Sequence, residues 1–120
     1  MIYPLQALMA EAIKNFENGN LDEAKKLLNF VLSNQPKNFD ALHLQGIING
    51  MQGKPKDAQQ FFKRALKIDP NHALLNFNMA RSLSESGDDA RAVSFHLHVL
   101  KQDPQNWEAW LNYEIGRAHV

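Results

Sequence analysis

The side chains best equipped for chemistry in this chain are its histidines and carboxylates, because it contains no cysteine. Without a thiol there is no disulfide, no Cys-ligated zinc, no iron–sulfur cluster and no thiol nucleophile. His96 and His98 are close enough in sequence to suggest a metal pair. On a helix, however, residues two apart point about 200° away from each other, so the two rings cannot share one ion. No Gly-rich phosphate loop, Gly-x-Ser-x-Gly elbow or paired-histidine metal motif occurs. Glu11, Glu17, Glu23, Asp57 and Glu85 lie beside lysines and arginines, the pattern of a solvated helix face rather than of an acid–base pair. The expectation is a non-enzymatic chain with no catalytic residue, no metal and no cofactor.

The chain has 120 residues, enough for a single domain with a core of its own. Its 44% hydrophobic and 22% charged content matches folded globular chains and excludes a disordered or collagen-like polymer. Thirteen basic residues balance thirteen acidic ones, which leaves no net field to gather phosphates. Neither a nucleic acid nor an anionic membrane is an expected partner. The stretch from Met1 to Phe16 lacks a basic leading region and is interrupted by Gln6, Glu11 and Lys14, so it reads as neither signal peptide nor membrane span. The expected setting is cytoplasmic.

What must position any functional side chain is a repeat of 34 residues. Gly19, Gly53 and Gly87 are separated by that interval, as are Ala24, Ala58 and Ala92; Leu32, Leu66 and Leu100; and Pro36, Pro70 and Pro104. About 0.2 such threefold identities are expected by chance from average residue usage, so the period is a property of the fold. Ala12, Gly46 and Ala80 form a further column of small residues, and Val31, Ala65 and Val99 one of modest apolar residues.

Each window encodes two helices. Leu5, Leu8, Met9, Ala12, Ile13 and Phe16 recur at spacings of three and four and make one face of a first helix, which ends at glycine. Ala24, Leu27, Leu28, Val31 and Leu32 make a second, matched by Ala58, Phe61, Phe62, Ala65 and Leu66, and proline stops it. Pro55 falls in a first helical turn, where a missing N–H costs nothing. Helices are predicted near 5–18, 22–34, 39–52, 56–68, 73–86, 89–101 and 107–115.

The 34-residue spacing, the small residue in each first helix, the turn glycine, the early alanine of the second helix and its closing proline resemble the tetratricopeptide repeat. The resemblance implies an all-α fold, with antiparallel helix pairs stacked in a right-handed superhelix. Repeats fall at about 5–38, 39–72 and 73–106, and a partial fourth at 107–118. Several family preferences are missing: Leu8, Leu42 and Asn76 stand where tryptophan is common, Pro55 and Asp89 replace a large residue after the turn, and His96, in the column of Leu28 and Phe62, replaces an aromatic.

The resemblance also implies that the first helix of each pair lines a concave surface. One column there is Met9, His43, Phe77 and Leu111, and the next turn gives Ile13, Ile47, Arg81 and Ile115. Family members that grip a chaperone's C-terminal carboxylate place lysine and asparagine at the positions of Met9 and Ile13, so that clamp is absent. Asn78 and Asn112, one period apart, match two rungs of the asparagine ladder in repeat arrays attached to O-linked N-acetylglucosamine transferases. An amide can both donate and accept, which suits backbone recognition. Two functions follow as expectations: a scaffold binding a protein or peptide segment in a largely apolar groove, or the substrate-recruiting N-terminal region of a larger enzyme such as a glycosyltransferase. The first expects a whole protein of about this length, the second a reading frame continuing past Val120.

Trp107, Trp110 and Tyr113 recur at spacing three on the unpaired seventh helix. They predict weak self-association through an uncovered helix face, or, for Trp110, packing back onto the third repeat. Gly116 lowers helix propensity by roughly 1 kcal/mol, and the segment from Gly116 to Val120 fits no column of the repeat, as in a natural end or an appended tail.

Overall fold

The glycine column is where the sequence first becomes geometry. In a computed structural model of the chain, which describes residues 4–118, Gly19, Gly53 and Gly87 have φ of +79°, +74° and +87°. In that left-handed region a Cβ would be strained. Each reverses the chain identically: the residue after it returns a backbone N–H five residues, Asn20 to Asn15, Lys54 to Asn49 and Asp88 to Leu83, at 2.8 to 2.9 Å. This pattern satisfies the last carbonyls of a helix and stops it.

Seven helices result: α1 (Leu5–Glu17), α2 (Leu21–Asn34), α3 (Phe39–Met51), α4 (Pro55–Leu66), α5 (Ala73–Glu85), α6 (Asp89–Gln102) and α7 (Trp107–Ala118). There is no strand among the described residues. The starts of α3, α5, α6 and α7 are capped by side chains, while α4 begins without one. Asn38 accepts from Ala41 N–H, His72 from Leu75, Asp88 from Arg91 and Asn106 from Ala109. Such caps each contribute about 1 kcal/mol. Six helices end within two residues of their predicted limits. The seventh runs three residues past its predicted end at 115, through Gly116. Gly116 is buried, and a Cβ there would stand 3.0 Å from Val93 Cγ2. The absent side chain lets α7 lie close against α6, and that packing outweighs glycine's propensity deficit.

Consecutive helices pack on one another, and α3 also reaches α5, so α1, α3, α5 and α7 form one layer and α2, α4 and α6 the other. The stack is elongated, 54 × 25 × 21 Å. Its main core runs through the alanine and leucine columns, including Ala12, Ala24, Leu28, Leu42, Ala58, Phe62, Leu75 and Ala92. A smaller cluster of Val99, Leu100 and Ala109, with Phe77 and Tyr113 against it, seats α7. Polar staples repeat with the same period: Lys25 Nζ donates to Gln52 Oε1 at 2.9 Å, and one repeat later Gln59 Nε2 donates to Ser86 Oγ at 2.9 Å. Each joins the second helix of one repeat to the first helix of the next, setting their register.

Candidate peptide-binding face

Six of the ten residues predicted to line the concave layer divide among three hollows; His43, Leu111, Asn112 and Ile115 border none of them. Met9 and Ile13 on α1 border one of about 440 Å³, with Gln35, Asn38 and Asp40 opposite. Ile47 on α3 and Asn78 and Arg81 on α5 meet at a smaller hollow of about 60 Å³, above Gly46, Gly50 and the Phe62 ring. Phe77 lines a third, about 240 Å³, with Leu74, Val99, Asn106 and Glu108. Leu111 and Ile115 lie exposed on α7, with Asn112 half-buried between them. All three are open to solvent rather than enclosed, and each can receive a side chain of a segment lying across the face.

The central hollow exists because α3 carries Gly46 and Gly50 one turn apart. Neither has a side chain, so the floor is the Phe62 ring beneath. Repeat periodicity identifies Gly46 as a packing residue; the pairing with Gly50 on the same face, four residues on, is the signal that would have exposed the hollow. Met51, Ser82 and Glu85 also line it and were not anticipated. Arg81 is paired with Glu85 at 3.2 Å on the open rim, a bond of small energetic worth.

His43 lies deeper than its column suggests. Only 9% exposed, it sits among Phe39, Phe62 and His72, with ring centroids 5.5 to 5.9 Å away. Its Nε2 is 3.1 Å from Asn78 Nδ2. Burial lowers its pKa below the usual imidazole value, His72 lowers it further, and Asp40 opposes both. Asn78 is therefore tied to the neighbouring repeat by one end of its amide. His96 is 1% exposed and touches Phe77 edge-on at 6.1 Å, a core position. No group of three or more metal-binding side chains comes together among the described residues.

On α7 the three aromatic residues do not share one environment. Trp110 donates from Nε1 to the Pro104 carbonyl at 2.8 Å and meets Tyr113 edge-on, while Tyr113 packs on the smaller core cluster. Trp107 is 73% exposed. The open apolar surface of this helix is thus Trp107, Leu111 and Ile115, with part of Trp110.

Helix pairs stacked in two layers, with one layer forming a face of small hollows, define a helical repeat protein of the interaction-module class. Two family profiles, both described as tetratricopeptide repeat, match residues 9–73 and 51–112, and the chain belongs to that family. It is 30% identical over 97 residues to a Saccharomyces cerevisiae protein, "Essential for maintenance of the cell wall protein 1", and 31% identical over 117 residues to a Schizosaccharomyces pombe DnaJ homolog subfamily C member 7 homolog. Those matches cover 80% and 88% of this chain but span only 11% and 24% of the two relatives. Among solved structures it is similar to a Thermobaculum terrenum O-GlcNAc transferase mutant, with 26% identity, TM-score 0.82, and coverage of 97% of this chain and 23% of that one. It also shares its fold with the first TPR of Spaghetti bound to an HSP90 peptide, at 17% identity, TM-score 0.88, and coverage of 95% and 90%. No described helix is long and apolar enough to cross a membrane.

Proposed function

We propose that this chain is a binding module that holds an extended protein segment along the face formed by α1, α3, α5 and α7, with apolar side chains of the segment entering the hollows. The observation that carries this reading is the central hollow, where Ile47 and the glycine-opened Phe62 floor lie beside the Asn78 amide and the Arg81 guanidinium. That combination offers an apolar anchor site, a backbone-reading amide and a positive charge side by side. A related fold seen with a bound peptide supports it. This reading gives no residue of the face a catalytic role, and in it any chemistry belongs to a partner or to another part of a longer protein. The transferase likeness favours a second arrangement, in which this module recruits substrates for an attached enzyme.

Phe77 is the strongest single anchor candidate, since it is half-buried and forms the wall of its hollow. Phe77→Ala should weaken a captured peptide by about 1–3 kcal/mol, while Lys63→Ala on the opposite layer should change affinity little. Affinity measured by calorimetry that falls for Lys63→Ala and not for Phe77→Ala would place binding on the other surface.

The exposed Trp107, Leu111 and Ile115 also motivate weak self-association through α7. Sedimentation velocity should show a concentration-dependent rise that Trp107→Ser removes. Because Tyr113 supports the core, Trp107 is the cleaner substitution; a sedimentation coefficient independent of concentration in the parent chain would eliminate the contact.

A further inference from the structure

Among the described residues the Asn78 side chain makes one hydrogen bond, from Nδ2 to His43 Nε2 at 3.1 Å. An amide nitrogen has hydrogens to give and no lone pair to offer, so Nε2 is the acceptor. A neutral imidazole with a bare Nε2 carries its proton on Nδ1. His72 is fixed in the opposite sense: its Nδ1 accepts from Leu75 N–H at 3.2 Å, which leaves the proton on Nε2. Two rings that accept through opposite nitrogens therefore stand 5.5 Å apart at 82°, flanked by Phe39 and Phe62. The arrangement is confined to one junction. One repeat before and after His72, Asn38 and Asn106 perform the same capping with an amide, and the equivalents of His43 are Met9, Phe77 and Leu111.

We infer that His43 is a positioning residue for the face: as the Nδ1–H tautomer it holds Asn78 Nδ2 toward the imidazole and Asn78 Oδ1 toward the central hollow, making this rung an acceptor for a peptide N–H, and a proton gained at Nε2 reverses the amide so that the rung becomes a donor. Only the peptide step rests on the function proposed above; the coupling of amide to imidazole stands on the chain's own geometry. The groups acting on His43 come from every side. Asp40 on α3 favours the proton, His72 ahead of α5 opposes it, Phe62 from α4 and Phe39 are apolar, and Asn78 from α5 is uncharged. Arg81, further along α5, is paired to Glu85. Burial and His72 outweigh Asp40, so the neutral acceptor is the ordinary state near neutrality and the reversal belongs to acidification below about pH 6.5.

The test uses the full chain labelled with nitrogen-15 and needs no ligand. At pH 7.5 the His43 ring nitrogens should report Nδ1–H with a bare Nε2, the tautomer disfavoured in free histidine. The Asn78 side-chain amide signals should move with the same midpoint as His43 when the pH is lowered. Asn78→Leu should turn His43 to the Nε2–H form and raise its midpoint, because an acceptor bond available only to the neutral ring is gone. His43→Gln, whose carbonyl can accept from the same Nδ2, should preserve the Asn78 amide signals and abolish their response to pH between 7.5 and 5. Finding Nε2–H in the parent chain, or an unchanged His43 tautomer and midpoint in a folded Asn78→Leu, overturns the inference. A coupled His43–Asn78 response in a chain that captures no member of a displayed random-peptide library would support the amide reversal and sink the proposed peptide groove instead.

Discussion

Gly46→Ala should lower stability by about 2 kcal/mol, although alanine is the better helix former. The gain from propensity is about 1 kcal/mol. Against it, a Cβ on Gly46 would fall inside van der Waals contact of three Phe62 ring carbons. Phe62 is 3% exposed and its ring lies edge-on to His43, so shifting aside would cost it packing in the core. Overpacking of this kind costs roughly 1–3 kcal/mol, and a clash with a buried ring belongs at or above the upper end. For a domain of this size a net loss near 2 kcal/mol lowers Tm by about 6–12 °C.

The repeat itself supplies the compensating change. The small-residue column is Ala12, Gly46 and Ala80, and the column facing it is Leu28, Phe62 and His96. Glycine stands opposite the largest of the three, and alanine opposite the smaller two. Phe62→Leu alone should cost about 1 kcal/mol by leaving a gap over glycine. The pair Gly46→Ala with Phe62→Leu recreates the combination of the first repeat, Ala12 with Leu28, and should be more stable than the sum of the single losses by at least about 1 kcal/mol. Strict additivity in urea denaturation would mean that the two side chains do not share this space.

That complementarity shows which parts of the molecule could be read in advance. Helix number, order and reversal points follow from columns of glycine, alanine, leucine and proline, because each column has a local job: a positive φ, a close approach, a helix stop. Features that depend on depth or on partners were not legible. The column of His43 fixes the face of α3 it occupies and not how far it sinks, which depends on the rings of Phe39, Phe62 and His72. Gly116 reads as a helix breaker until Val93 is found against it. His72 falls outside the predicted helices at 56–68 and 73–86, and histidine is an unusual cap; its signal is the alignment with Asn38 and Asn106. The two glycines that open the central hollow belong to different logics, Gly46 to the repeat and Gly50 to this helix alone.

His96→Leu should stabilise the chain by about 1–2 kcal/mol at pH 7.5 and by more at pH 5. The residue is 1% exposed, and its Nδ1 is buried with no hydrogen-bond partner among the described residues. An unpaired buried polar atom costs about 1–3 kcal/mol, while leucine is close in volume and is the residue found opposite alanine in the first repeat. Burial lowers the His96 pKa below 6.5 in the folded chain, so the unfolded chain binds its proton first as the pH falls. The resulting contribution is fully present above about pH 6.5 and is lost progressively as the pH drops toward the folded value. His43, lowered by burial and by His72, adds a loss of the same sign. The parent chain should therefore weaken between pH 7 and 5. His96→Leu should weaken less, with the remaining slope owed largely to His43. His96→Gln separates the two causes: it removes the titration while keeping a polar group in the core, so it should flatten the pH profile without the gain at pH 7.5. Urea midpoints at the two pH values decide the matter. A His96→Leu chain less stable than the parent at both would show that the histidine is held by more than packing.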